Sequence, residues 1–186
     1  PPEQNEKILE KAIKYRSRGV LGIDLAGQEK SPMELTSAVE KYAEIFSRAR
    51  SEGLGTTVHT GETQATSGEG VIAVVKRLKP DRIGHGIRAA YSEEATAALA
   101  DTGTVLEVCP SSNLHTRAVS HLEEFRYILG TFDAAGVPFT INTDGTYLCG
   151  TNIAREHQLL VESGVLTEER ADQCRELAFE SSFVNS

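Results

Sequence analysis

Three segments of this chain end an apolar run on a side chain able to bind a metal. They read Gly55-Thr-Thr-Val-His59-Thr-Gly-Glu62, Asp81-Arg-Ile-Gly-His85-Gly86 and Val137-Pro-Phe-Thr-Ile-Asn-Thr-Asp144. Each is a short run containing β-branched residues, followed by a turn and then a helical pattern. Catalytic groups at the carboxyl ends of successive parallel strands are how a (β/α) barrel builds its active site. Two imidazoles and a carboxylate converging there predict a bound divalent metal, zinc before others.

Each residue has a competing reading. His59 and Glu62 form His-x-x-Glu at a strand-to-loop corner, a spacing unlike the helical His-Glu-x-x-His of zinc proteases. There His59 can reach a metal while Glu62 donates a proton to a ring nitrogen of a substrate. The alternative is a buried histidine bonded to backbone and a solvated glutamate. His85 sits between Gly84 and Gly86, which permit close approach. It reads as a metal ligand, as a base or electrostatic anchor for a water, or as a satisfied core histidine. Asp144 precedes Gly145, so a helix cap or Asx turn competes with metal binding. Asp24 lies before the end of its strand and is expected to support a ligand from behind. With no Lys on that strand to bridge two ions, a single metal with one open position is expected. Pro110-Ser111-Ser112-Asn113 either lines the site or forms a polar turn, Cys109 is expected to be a small buried hydrophobe, and His115, His121 and His157 are expected on surfaces.

These residues need elements to hold them. Glu3 to Arg18 reads as an amphipathic helix stopped by Gly19, and Val20–Leu25 as a buried strand. Ser31, Pro32 and Glu34 open a second helix with a capping box, whose stripe is Leu35, Val39, Tyr42, Phe46 and Ala49 and which ends at Gly53. A strand to His59, a helix from about Glu69 to Lys79 and a strand to His85 follow. Ser92 caps the next helix, which Gly103 ends, and Thr104–Cys109 is a fourth strand. Ser120-His-Leu-Glu123 is a second capping box, opening a helix with Leu122, Phe125, Leu129 and Phe132 inward. Gly136 ends it before the strand to Asp144, and helices near 152–163 and 167–179 close the pattern. Five strands in strict βα alternation predict a parallel α/β sheet, either open and doubly wound or part of an eight-stranded barrel. The first strand lacks a Gly-x-Gly-x-x-Gly loop and polar residues close the strands, which favours the barrel. A full barrel needs ~250 residues, so the expectation is a portion, about five βα units, of a TIM-type (β/α)8 barrel in a single domain.

Composition bounds the partners. The chain has 186 residues and a formal net charge of -8, which argues against a nucleic-acid backbone as ligand. No run approaches the ~20 apolar residues of a membrane span. Three cysteines without paired spacing read as reduced thiols, and with no secretory signal they predict a cytoplasmic protein. The opening Pro-Pro-Glu-Gln is expected to be a cut or boundary.

With these residues in hand, the chain resembles the adenosine deaminase family. The motifs Gly22-Ile-Asp-Leu-Ala-Gly-Gln-Glu29, Val58-His-Thr-Gly-Glu62, Arg82-Ile-Gly-His-Gly86, Leu106-Glu-Val-Cys-Pro-Ser-Ser-Asn113 and Ile141-Asn-Thr-Asp144 occur in family order and span nearly the whole chain. The resemblance implies that His59 and Asp144 are zinc ligands, that Glu62 protonates purine N1, and that His85 orients or deprotonates the attacking water. It implies that the backbone of Gly27 contacts the purine, a small-molecule nucleoside. The family's His-x-His pair, which supplies two further zinc ligands, is absent from this chain. By resemblance the first three strands are missing, which implies that the chain is the C-terminal portion of the barrel, and a complementary chain is one way to supply them. Many members carry a second aspartate on purine N7 where this chain has Gly145. That leaves another 6-aminopurine derivative, such as aminodeoxyfutalosine, as an alternative substrate, and a non-catalytic fragment as a further alternative.

Overall fold

The computed structural model describes residues 1–27 and 38–185. The expected cap at Ser31, Pro32 and Glu34, Leu35, and the Gln28-Glu29 end of the first motif lie outside the described residues.

Helix α1 (Pro2–Tyr15) runs into a 3-10 turn (Arg16–Arg18), and Gly19 stops it in the left-handed region at φ 95°. Then come β1 (Gly22–Leu25), α2 (Val39–Ser51), β2 (Gly55–Thr60), α3 (Ser67–Arg77) and β3 (Arg82–His85). A 3-10 helix (Ile87–Tyr91) precedes α4 (Glu93–Thr102), β4 (Val105–Val108) and the short α5 (Pro110–His115). The remainder is α6 (Glu124–Ala135), β5 (Phe139–Ile141), the short α7 (Thr146–Cys149), α8 (Ile153–Glu162), α9 (Glu168–Glu180) and a 3-10 turn (Phe183–Asn185). No helix among the described residues is long and apolar enough to cross a membrane.

The five strands are parallel and lie in chain order β1-β2-β3-β4-β5. Right-handed crossovers between neighbours in that order place every helix on one face, as in the wall of a barrel and unlike a doubly wound sheet. The sheet stays open, with β1 and β5 as its edges among the described residues. On the helix side, Val71, Ile83, Leu99, Leu106, Phe125 and Phe132 are buried in one core. On the other side, the register His59↔Gly84↔Glu107↔Thr140 sets a polar row across four strands.

Three local expectations are corrected. Strand β1 is not buried: Asp24 is exposed and its neighbours are half-buried, because β1 is an edge. The Ser120–Glu123 box does not form. Glu123 binds Arg126 instead, and Glu124 reaches back to accept the Ser120 N–H at 2.8 Å, so the cap falls on Glu123 and α6 begins three residues late. Of the four residues expected inward, Phe125, Leu129 and Phe132 are buried on α6, while Leu122 precedes the helix and is half-buried against the core. Third, His157 is not on the surface but only 6% exposed, on the inner side of α8.

At the amino ends of the strands, the paired glycines Gly22 and Gly55 make room for one ring. A Cβ on Gly55 would meet Phe183 at 2.3 Å. The Arg82 guanidinium lies 3.8 Å over the same ring and donates to the Ser181 carbonyl at 2.9 Å. This cluster closes the end of the sheet opposite the site.

Candidate active site

The expected site residues collect at the carboxyl ends of β2, β3 and β5. His59 lies near the end of β2 and Glu62 in the turn beyond it. His85 is the last residue of β3, and Asp144 follows β5 by three residues. Gly84 allows His59 its place, because a Cβ there would meet the imidazole at 3.0 Å. His85 and Asp144 both have left-handed backbones, φ 64° and φ 51°, an uncommon conformation for residues other than glycine.

Asp24 on β1 reaches across to His59, Oδ1 to Nδ1 at 3.1 Å. That contact raises the His59 pKa above the ordinary histidine value, against the opposing effect of burial. It also occupies Nδ1 and leaves Nε2 as the nitrogen available to a metal, as in carboxylate–histidine pairs behind metal ions. The His59 and His85 rings meet edge to face, centroids 5.4 Å apart. His85 is 3% exposed; its Nε2 faces Glu62 Oε2 at 3.7 Å and its Nδ1 lies 3.0 Å from Asn113 Nδ2. The other Glu62 oxygen accepts the Thr116 hydroxyl at 2.9 Å. Asp144 Oδ2 accepts the Ser112 hydroxyl at 2.6 Å.

The segment Pro110–Asn113 is therefore neither a lining of free hydroxyls nor a plain polar turn. It is the start of helix α5, and Ser112, Asn113 and Thr116 each hold one site residue. Composition alone did not reveal this, since only the helical spacing of 112, 113 and 116 aims them at three different strands.

His59 and Asp144 line one cavity of about 340 Å³, together with Gly84, Glu107, Cys109, Asn142, Thr143 and Ile153. Glu107 pairs with Arg82 at 3.0 Å deeper in the sheet, and burial raises its pKa. Its place in the alternation Val-Leu-Glu-Val was the available signal for a carboxylate on the open face. Cys109 is buried as expected, and burial pushes its thiol pKa far up, so it is no nucleophile. Gly27 (φ 138°, exposed) and Gly145 are not among the residues lining this cavity.

His59 and Asp144 suit zinc in donor type and share a cavity. No group of three His, Cys, Asp or Glu able to hold a metal forms among the described residues. A catalytic zinc takes about three protein ligands, so the pair fits as part of a coordination shell whose other donors lie elsewhere.

The sequence profile of the adenosine deaminase family matches residues 1–186. An adenine deaminase from Rhizobium leguminosarum bv. trifolii is 35% identical over 185 residues, covering 99% of this chain and 54% of that protein. An aminodeoxyfutalosine deaminase from Acidothermus cellulolyticus is 34% identical over 169 residues, covering 88% of this chain and 46% of that protein. A crystal structure of an amidohydrolase from Burkholderia ambifaria with bound Zn superposes with a TM-score of 0.70 at 24% identity, covering 86% of this chain and 43% of the other. The chain belongs to the adenosine deaminase family. It spans about half the length of the curated relatives it matches.

One expectation about the fold is withdrawn here. The chain was expected to be the C-terminal portion of the barrel, but the family match starts at its first residue and the relatives are covered by about half. What stands is a five-stranded parallel segment of the family's α/β fold, with no terminus assigned.

Proposed function

We propose that the full-length protein carrying this chain hydrolyses the 6-amino group of an adenine derivative. The exocyclic C–N bond breaks, a C–O bond to water forms, and the products are a 6-oxopurine and ammonia. A nucleoside such as adenosine is the first substrate reading. Free adenine and aminodeoxyfutalosine are the alternatives that the named activities of its relatives support.

The observation that carries the reading is the meeting of Glu62 and His85 at 3.7 Å, beside His59, which lines a cavity with Asp144. His59 and Asp144 would hold zinc in part, with Asp24 orienting His59. When bound, zinc supplies Lewis acidity that makes water nucleophilic near neutral pH. The remaining work falls to side chains of this chain. Glu62, steadied by Thr116, delivers a proton to purine N1, which makes C6 electrophilic. His85, held by Asn113, orients the attacking water from the side opposite Asn113. The backbone of Gly27 is assigned to the purine on the resemblance of its motif alone, since neither it nor Gly145 lines the cavity.

The test is ammonia release by zinc-replete full-length protein with adenine, adenosine and aminodeoxyfutalosine offered separately. Turnover of one of them, abolished by a chelator and restored by zinc, supports the reading. Absence of turnover on all three, in protein shown to hold zinc, refutes it.

A further inference from the structure

We propose that Glu156 is a positioning residue: it clamps helix α5 in place and so aims Asp144, His85 and Glu62 together. The proposal rests on the reading of those three residues as the catalytic set. Glu156 lies in the first turn of α8 and is fully buried, at 0% exposure. A buried carboxylate is costly unless donors satisfy its oxygens. None of the ion pairs among the described residues includes it. Instead Oε2 accepts the Ser111 backbone N–H at 2.9 Å, and Oε1 accepts the Thr151 hydroxyl at 2.5 Å.

The two donors belong to different loops. Ser111 is the second residue of α5, after β4, and Thr151 follows α7, after β5. One carboxylate therefore ties the β4 loop to the β5 loop. The next residues along α5 are the ones that touch the site: Ser112 on Asp144, Asn113 on His85 and, just past the helix, Thr116 on Glu62. A helix of six residues has too few internal bonds to hold its own position. A shift of α5 moves all three contacts at once, and productive geometry tolerates only about 0.5 Å. Packing alone does not call for a carboxylate here, since Leu160, one turn further along α8, is buried just as fully. The contribution of Glu156 is its two hydrogen bonds.

The experiment compares three variants of the full-length protein. Glu156→Gln keeps the volume but replaces one acceptor by a donor. Thr151→Val removes one anchor with no change of charge. Leu160→Ala opens a cavity in the same helix without touching α5. The readouts are kcat and KM for purine deamination, the side-chain NMR resonances of His85 and Asn113, and Tm. Misplacement of catalytic groups by about 1 Å costs up to about 10²-fold. Glu156→Gln should therefore lower kcat about tenfold, with KM within about threefold, and should shift or broaden both sets of resonances. Thr151→Val should do the same to a smaller extent, and decides the matter should Glu156→Gln not fold. Leu160→Ala should lower Tm and leave kcat and the resonances alone. Unmoved His85 and Asn113 resonances in both clamp variants would overturn the proposal. Resonances moved as far by Leu160→Ala would overturn it too, because the effect would then be general loosening. If the parent protein deaminates no purine, the functional reading fails while the resonances still decide the clamp.

Discussion

Glu62→Gln separates acid chemistry from architecture, because the structure shows what the amide would keep. Glutamine has the volume of glutamate, and its carbonyl can still accept the Thr116 hydroxyl where Glu62 Oε1 now does, at 2.9 Å. The amide nitrogen would then take the place of Oε2, facing His85 Nε2 across 3.7 Å. What disappears is the ionisable carboxyl that the proposed role requires. A general acid is worth about 10²–10⁴ in rate, or about 2.7–5.5 kcal/mol at ~1.36 kcal/mol per decade. Thr116→Val, which removes one hydrogen bond worth about 1 kcal/mol, should cost only about fivefold. In the double variant the Thr116 effect should shrink, since there is no longer an acid to aim, and the coupling energy measures that loss. The assay is ammonia release in full-length protein, with zinc content measured for every variant and binding of a product-like purine measured by calorimetry. Glu62→Gln should keep zinc and most of the binding. Zinc-replete Glu62→Gln protein that turns over within about threefold of the parent would refute the assignment, whatever the resemblance of the motif.

Other consequences follow from single contacts. Asp24→Asn weakens the carboxylate behind His59, so zinc affinity of the full-length protein should fall about 10–100-fold; an unchanged constant in chelator competition would show that Asp24 supports no ligand. Phe125→Ala empties a fully buried site on α6 and should cost about 3–5 kcal/mol in urea unfolding, a loss under about 1 kcal/mol contradicting the core as described. Burial, and then the charge of Arg175, holds the His157 pKa below the ordinary histidine value. The unfolded chain then binds a proton that the folded one does not, so this contribution to stability is intact above about pH 6.5 and is lost as the pH falls through the folded value. His157→Gln should flatten the fall in Tm on acidification from about pH 7, and parallel Tm curves for the two proteins would exclude the effect.

The positions of the strands and of His59, His85 and Asp144 were legible because burial imposes a period and a strand end imposes a place. Helix α6 shows the limit of that legibility. Its apolar spacing Phe125, Leu129 and Phe132 gave the buried face, while its start was misjudged because Glu124 competed with Glu123 for the Ser120 N–H. Capping boxes are local bargains that a neighbouring carboxylate can overturn. His157 was misplaced for a different reason. Its helix buries Glu156, His157 and Leu160 on one side, and two polar residues in an inward stripe look like a solvated face until their partners are known. The hydrogen bonds of α5 were not legible at all. They join residues tens of positions apart, Ser112 to Asp144 and Thr116 to Glu62, and no periodicity encodes such a pairing.

The backbone at the site shows why those distant bonds are needed. His85, the last residue of β3, and Asp144, three residues past β5, both lie in the left-handed region, which costs a residue with a side chain about 1 kcal/mol or more and persists only where surroundings impose it. Asp144 so placed lines the cavity, and His85 is buried against Glu62 and the ring of His59. In both cases α5 holds the side chain so placed: Asn113 contacts the ring of His85, and Ser112 donates to the carboxylate of Asp144. Either residue, released from its partner, could relax to extended backbone and swing its side chain away from the site. The sheet supplies the approximate place of each group, and one short helix supplies its direction. Loss of α5 geometry should therefore disable the site while leaving the parallel sheet and its apolar core folded.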